Sequence, residues 1–151
     1  MLQVSFFELV ARGIPESFLF IYLVHLLTHT KINIKKYFIS SMLLDVIGFL
    51  IRRLPINYGI HTILNIVVVV ILVTAINKIN ILEAIKSTII TSIIVFVCEG
   101  INMFLIQILY GNNIANILSN PVLKIIYGMP SLIIFIIVIL TIRITIYKKE
   151  E

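Results

Sequence analysis

The sequence has 151 residues, of which 60% are hydrophobic and 13% are charged, and its mean hydropathy is +1.15. A soluble domain carries about 25% charged residues, so this composition excludes a water-soluble fold for most of the chain and indicates lipid as the solvent. The net charge of +5 comes mainly from lysines and arginines that lie between the apolar segments and near the C-terminal end, which is typical of headgroup contact rather than nucleic-acid binding.

Five apolar segments predict an all-α fold, a polytopic transmembrane helical bundle that occupies residues 1–151 as a single domain. The predicted spans are approximately 6–27, 37–51, 60–76, 85–109 and 130–147. The stretch 113–127 is only moderately apolar, and we expect it to be interfacial or re-entrant. Pro130 is expected in the first turn of the fifth span, where a missing N–H costs least.

The first segment permits two geometries, because Gly13 and Pro15 interrupt its apolar pattern. Either one long helix kinks near Pro15, or residues 2–12 lie at the membrane interface and Pro15 opens the span. The single kinked helix is the favoured interpretation. The N-terminus lacks a basic region followed by a small-residue cleavage site, so we expect no cleaved signal peptide.

The basic residues between the segments predict the orientation of the chain. Eight lie in the first and third connectors and near the C-terminus, and three lie on the opposite side: Lys31, Lys35, Lys36, Lys78, Lys86, Arg143, Lys148 and Lys149, against Arg52, Arg53 and Lys124. The positive-inside rule therefore predicts a multi-pass protein of the cell membrane, with the N-terminus outside and the C-terminus in the cytoplasm.

Ionisable side chains inside the predicted spans are the main functional candidates, because a charge at the bilayer centre costs about 2.5–3.5 kcal/mol even on the lenient insertion scale. Glu8, Arg12 and Glu16 are spaced four apart, so Arg12 can lie between two carboxylates on one helix face. Such a ladder either fixes the first helix at the interface or forms a polar stripe inside the bundle. Asp45 is too far along its helix from Arg52 for direct pairing. We expect Asp45 either to pair with Arg12 or to be protonated.

The fourth segment is the most polar span. Serine and threonine at positions 87, 88, 91 and 92 favour close helix packing. In the stretch CEGIN, a carboxyl (Glu99), a point of close approach (Gly100) and an amide (Asn102) lie within one turn. This stretch is the strongest single candidate for a ligand or ion site.

Metal and enzyme chemistry find little support in the sequence. His25 and His29 stand four apart, but no carboxylate or cysteine completes a metal site with them. Cys98 is the only cysteine, which excludes an intrachain disulfide. HExxH, phosphate-binding glycine loops and GxSxG do not occur. We therefore expect no catalytic site, no metal and no cofactor.

Three stretches carry a family resemblance: RRLPINYGIHTIL, CEGINMFLIQ and NPVLKIIYGMPSLIIF. Their general pattern resembles the membrane-spanning input regions of sensor histidine kinases of the accessory-gene-regulator type from low-GC Gram-positive bacteria. In that family a multi-span region with a cytoplasmic C-terminal end senses a signal, commonly a peptide, and passes it to a kinase module. This sequence contains no phospho-acceptor histidine region and no ATP-binding motif. The resemblance therefore implies an input module alone, either a stand-alone protein or part of a longer one, and carries over no site residues.

These observations predict a non-enzymatic sensory or regulatory membrane module. In this hypothesis, segments one, two and four repack around Arg12, Asp45 and Glu99 and move the cytoplasmic end of segment five. The alternatives are a small transporter or channel component, with an intramembrane carboxylate path for protons or cations, and a structural assembly partner of another membrane protein. The partners we expect are the lipid bilayer, a sensor kinase or another membrane protein, and further copies of the chain, but not nucleic acid.

Overall fold

The chain is helical almost throughout, as the all-α prediction requires. The computed structural model describes residues 6–151, apart from the side chain of Tyr58. The elements are α1 (Phe6–Glu8), a π-helical turn (Leu9–Gly13), α2 (Ile14–Leu27), α3 (Ile34–Arg52), α4 (Tyr58–Ala75), α5 (Ile81–Tyr110), a 3₁₀ turn (Gly111–Asn113), α6 (Ile114–Ser119) and α7 (Pro121–Glu150). Two compact units divide the chain, Met1–Ser92 and Ile93–Glu151, and α5 contributes to both.

Three helical stretches are long and apolar enough to cross a membrane: Phe6–Leu27, Ile81–Ser119 and Pro121–Glu150. Gly59–Ala75 is apolar but shorter. Length and composition therefore support three of the five predicted spans. The second predicted span corresponds to α3, a helix of 19 residues with Asp45 near its middle.

Pro15 determines the irregular course of the first segment. Proline has no N–H, and its ring clashes with the carbonyl of the residue four positions earlier, so a regular α-helix does not pass through it unchanged. In the structure, Leu9–Gly13 form a π-helical turn closed by a hydrogen bond from the N–H of Ile14 to the carbonyl of Leu9, and Pro15 lies in the first turn of α2. The helical path is therefore continuous over Phe6–Leu27, as the favoured interpretation predicted, with a π turn where a kink was expected.

The core of the first unit joins α2, α3, α4 and the start of α5. Its buried members are Ile21, Val24, Leu44, Val69, Leu72, Val73, Ile79 and Ala84. Tyr37 ties α3 to α2, because its hydroxyl donates to the carbonyl of Phe18 at 2.6 Å and the two rings pack edge to face. A hydrogen bond between helices fixes their relative position in a medium that offers few other polar partners.

A Schellman motif ends α2. His29 has left-handed backbone geometry (φ 52°) and its N–H donates to the carbonyl of Leu26, while the N–H of Thr30 donates to the carbonyl of His25. These two bonds define the motif, which is commonly accompanied by an apolar contact between its flanking residues. Here the flanking side chains, His25 and Thr30, are joined by a hydrogen bond of 2.8 Å instead. The end of the helix thereby holds the imidazole of His25 in a polar setting.

The last helix corrects the predicted start of the fifth span. Pro130 was expected in a first helical turn, but α7 begins at Pro121 and continues through Pro130. Asn120 caps this helix, because its side-chain oxygen accepts a hydrogen bond from the N–H of Val122 at 3.0 Å. The prediction was wrong because an asparagine followed by proline is the stronger start signal, and a helix held by neighbouring polar groups tolerates a second proline inside it.

Candidate functional site

The first candidate site is a junction between the first helical segment and α3. Asp45 is 7% exposed, and its Oδ1 lies so close to the backbone of Gly13 that a Cβ at position 13 would overlap it. Gly13 is the last residue of the π turn. A side chain on residue 13 would therefore prevent the carboxylate from reaching this part of the helix backbone.

The charged residues of the first segment belong to the same region. We call Glu8, Arg12, Gly13, Glu16 and Asp45 the polar junction. The Nε of Arg12 lies 3.8 Å from Oε2 of Glu16, and both side chains are 17% exposed. Glu8 is buried. The structure thus brings together four of the sequence-predicted candidates in one unit, as well as a glycine that the sequence analysis had considered only for its effect on helix continuity.

The pairing within the polar junction agrees with one part of the prediction and leaves another part untested. Arg12 pairs with Glu16, as the four-residue spacing predicted. Asp45 was expected either to pair with Arg12 or to be protonated, and the structure shows its carboxylate against the backbone of Gly13. The charges that act on Asp45 are those of Arg52, on its own helix, and Glu16. The sequence analysis did not anticipate the contact with Gly13, because it did not foresee the π turn, which changes the direction of every residue before it.

Chemically, the polar junction offers a carboxylate to a proton, a hydrogen-bond donor or a cation. Across residues 6–151, no group of three or more His, Cys, Asp or Glu side chains is placed to hold a metal ion. The contact of Asp45 with Gly13 depends on glycine, because the carboxylate occupies the place that a side chain at position 13 would take.

A second polar cluster, which sequence reasoning missed, lies at the C-terminal end of α2. His25 is 3% exposed, and Asn77 Nδ2 donates to its Nε2. Because Nε2 accepts, the proton is on Nδ1, which donates to Thr30 Oγ1 at 2.8 Å. The Thr30 hydroxyl donates to Thr28 Oγ1, and the Thr28 hydroxyl donates to the carbonyl of Val24, both at 2.9 Å. We call His25, Thr28, Thr30 and Asn77 the His25 node.

The spacing of the two histidines does not identify this cluster. The four-residue separation of His25 and His29 places two side chains on one face only if the helix continues, but α2 ends at Leu27 and His29 is exposed in left-handed geometry. The useful signal was the apolar context of His25, because a buried imidazole needs partners for both ring nitrogens. Asn77 lies 52 residues away, so its identity as that partner was not visible.

Asn102 connects α5 to α7 in the second unit. It is 4% exposed, and its Nδ2 donates to the carbonyl of Tyr127 at 2.9 Å. Tyr127 lies three residues before Pro130, in the turn whose hydrogen bonding the proline disturbs. The ring of Tyr127 packs edge to face on that of Tyr110, with centroids 5.0 Å apart. The amide therefore serves helix packing beside a proline.

Replacing Asn102 with leucine is expected to lower the free energy of unfolding by about 0.5–2 kcal/mol, because hydrogen bonds between membrane helices contribute about 0.6 kcal/mol on average and up to about 1.7. Titration with SDS in mixed micelles measures this change. Gln107→Leu is the matched control, since Gln107 is an exposed amide on the same helix. Equal losses for both variants would contradict the packing role of Asn102.

The neighbours of Asn102 in CEGIN do not form a compact site with it. Gly100 is exposed, and a Cβ added there would meet no atom within 4 Å, so the predicted close approach at this glycine is wrong. Glu99 is half-buried, and its charge acts on the neighbouring Cys98. The two site candidates of this stretch, Glu99 and Asn102, belong to the second unit, and the other four belong to the first.

The small residues at the start of α5 are buried, as a packing face would be. Ser87, Thr88 and Thr91 are all less than 4% exposed. Thr91 Oγ1 donates to the carbonyl of Ser87 at 2.7 Å, within the same helix. A hydroxyl that donates to its own helix needs no hydrogen-bond partner on a neighbouring helix. The small surface it leaves therefore suits close helix packing.

The helices and their buried polar groups define an α-helical protein whose longest helices suit a membrane. No protein-family model matches this chain, and neither curated proteins nor solved structures gave a match. The resemblance to kinase input regions therefore depends on the sequence pattern. The structural features that bear on function are the two polar clusters and Asn102.

Proposed function

We propose that the chain is a multi-pass protein of the cell membrane, with its N-terminus outside and its C-terminus in the cytoplasm. The described surface supports a lipid environment, because large apolar side chains are widely exposed on the long helices, among them Ile93, Phe96, Phe104, Leu109, Ile133, Ile137 and Ile144. Apolar patches of this extent are rare on soluble monomers. The asymmetry of the basic residues supports the orientation.

Within the membrane, the chain acts as a non-enzymatic sensory or regulatory module. The observation that carries this proposal is the contact of Asp45 with Gly13 at the π turn. A buried carboxylate on a membrane helix is costly and is retained mainly where it has a function. Single π turns inside α-helices are likewise frequent at functional sites. Both features occur at one junction between two helices.

The proposed mechanism gives the polar junction two states. In one state Asp45 rests on Gly13 and the π turn is present. In the other, a bound proton, donor or cation draws Asp45 away, and the π turn relaxes to a regular α turn. That change moves the preceding residues by one position in register, a rotation of about 100° around the helix axis. A signal shifts the balance if it binds one state more tightly than the other.

The partner of such a module is a sensor kinase or another membrane protein. The resemblance to kinase input regions implies that the movement reaches the cytoplasmic end of α7, where a kinase could respond to it. Glu99, in the second unit, remains a candidate ionisable group of this mechanism. A second copy of the chain is a further partner that we propose.

Distance measurements between spin labels test the two-state mechanism. In a Cys98→Ala background, labels at Phe7→Cys and Leu50→Cys replace exposed side chains on α1 and α3. In liposomes, two distance populations are expected, and Asp45→Asn should change their ratio. Glu83→Gln is the matched control, because it makes the same type of change at an exposed carboxylate of α5. One unchanged population in all proteins would contradict the mechanism.

A small transporter or channel component is the second candidate, favoured by a second carboxylate, Glu16, three residues after the glycine that Asp45 contacts. Two such groups can pass a proton or share a cation. Proton uptake by liposomes that contain a pH-sensitive dye separates the two functions. Uptake that requires the protein and disappears in Asp45→Asn would establish transport, whereas the sensory proposal expects the same slow leak as protein-free liposomes.

A further inference from the structure

We infer that the α2–α3 connector and the α4–α5 turn together form a binding surface for anionic lipid headgroups. This surface, the lysine surface, consists of Lys31, Lys35, Lys36 and Lys78. It rests on the membrane location proposed above and assigns a ligand class to residues that the two-state mechanism does not use.

Within the described residues, no ion pair neutralises the positive charge of the lysine surface. Residues 28–36 and 76–82 contain these four lysines and no carboxylate. Lys31, Lys35 and Lys78 are exposed, and Lys36 is partly exposed. In the described part of the chain, none of the four forms an ion pair. Glu83, the next acidic residue along the chain, is exposed and does not pair with them either. An anion from outside the chain is therefore the natural counter-charge.

The His25 node holds the two basic stretches together. Asn77, which precedes Lys78, donates to the ring of His25, and that ring donates to Thr30, which precedes Lys31. The two loops thus meet at one end of the first unit through side chains adjacent to their lysines. A charged surface that is already assembled loses less conformational entropy on binding than two independent loops.

Apolar side chains lie between and beside the lysines. Ile32 and Ile34 are exposed in and after the connector, Phe38 is exposed in the next turn of α3, and Leu82 is exposed after the α4–α5 turn. Such side chains insert at the boundary of headgroups and acyl chains, while the lysines beside them reach the phosphates. Nucleic acid or an acidic protein surface would leave these isoleucines in water, so the pattern favours a lipid headgroup.

Native mass spectrometry of the detergent-solubilised protein, which measures its binding of phosphatidylglycerol, tests the inference. A lysine near an anionic membrane surface strengthens binding about fivefold. The double variant Lys35→Gln/Lys36→Gln should therefore bind phosphatidylglycerol at least tenfold more weakly, with phosphatidylcholine unchanged. The pair Lys148→Gln/Lys149→Gln is the matched control; because Glu150 and Glu151 directly follow these lysines and offset their charge, the loss should be at least threefold smaller than that of the first pair. Equal losses of binding in the two double variants would mean that lipid binds through general charge attraction, and would overturn the inference.

Two further arms complete the test. Asn77→Leu keeps all four lysines but removes the hydrogen bond to His25. In protein that remains monodisperse, this variant should bind phosphatidylglycerol severalfold more weakly. Unchanged binding would overturn the role of the His25 node. Glycerol phosphate, the free headgroup, should not displace phosphatidylglycerol when it is added at the same concentration as the lipid. Displacement at that concentration would show a site for soluble phosphate and overturn the inference. Protein that needs detergent but lacks a preference for phosphatidylglycerol would reject this inference alone, whereas protein that is monodisperse without detergent would reject the membrane location.

Discussion

Gly13→Ala is expected to lower the free energy of unfolding by up to about 2 kcal/mol, although alanine is the better helix former. The backbone of Gly13 is ordinary helix (φ −62°, ψ −46°), so alanine is free of conformational strain there and would gain up to about 1 kcal/mol from propensity alone. Its Cβ would overlap the carboxylate of Asp45, and such overpacking costs about 1–3 kcal/mol. The sign of the change therefore reports directly on the contact of Asp45 with Gly13.

Gly100→Ala is the control for this prediction. Gly100 is also helical, but it has open space around it, so alanine should stabilise the protein by up to about 1 kcal/mol. In the double variant Gly13→Ala/Asp45→Ala the overlap disappears, and the loss should be smaller than the sum of the two single losses. Unfolding by SDS in mixed micelles provides all four values. Stabilisation by both alanines would contradict the polar junction as described.

His25→Leu should cost about 2–4 kcal/mol, the larger of the two effects. Leucine fills a similar volume but leaves the amide of Asn77 without its acceptor, which costs about 1–3 kcal/mol, and removes one of the two side-chain hydrogen bonds of Thr30, which costs about 0.5–1.5 kcal/mol. The same SDS titration measures the loss. Thr74→Val is the control, because the Thr74 hydroxyl bonds only within its own helix, to the carbonyls of Val70 and Ile71, and its removal should cost less than about 0.5 kcal/mol.

A double variant separates packing from hydrogen bonding in the His25 node. If His25→Leu is costly because it leaves the amide of Asn77 without a hydrogen-bond acceptor, then adding Asn77→Leu should recover part of the lost free energy of unfolding. Strictly additive losses would mean that the two residues act independently, and would remove the connection between the α2–α3 connector and the α4–α5 turn on which the lysine surface depends.

The sequence predicted the features of the fold that depend on composition and local signals. The long apolar runs predicted helices, and the structure has helices at each predicted segment. Two of the polar residues inside those runs, Asp45 and Asn102, are buried, and their functional role stays a prediction. Pro15 was correctly expected to disturb the first helix without breaking it.

The features that were missed depend on contacts between distant residues. Gly13 and Gly100 both stand in polar stretches of apolar segments, yet only Gly13 faces a neighbouring side chain. The partner of His25 lies beyond two further helices. The start of α7 was missed for a different reason: Asn120 directly before Pro121 is a local cap signal that the sequence analysis overlooked in favour of Pro130. Local propensity ranks such options but does not choose among them.

Washing of membranes with alkaline carbonate tests most directly that lipid surrounds most of these helices. After expression of the chain, we predict that it sediments with the washed membranes and enters solution only with detergent, because the apolar side chains exposed on α5 and α7 have no other favourable environment. Recovery of the folded, monodisperse chain from the carbonate supernatant without detergent would contradict this.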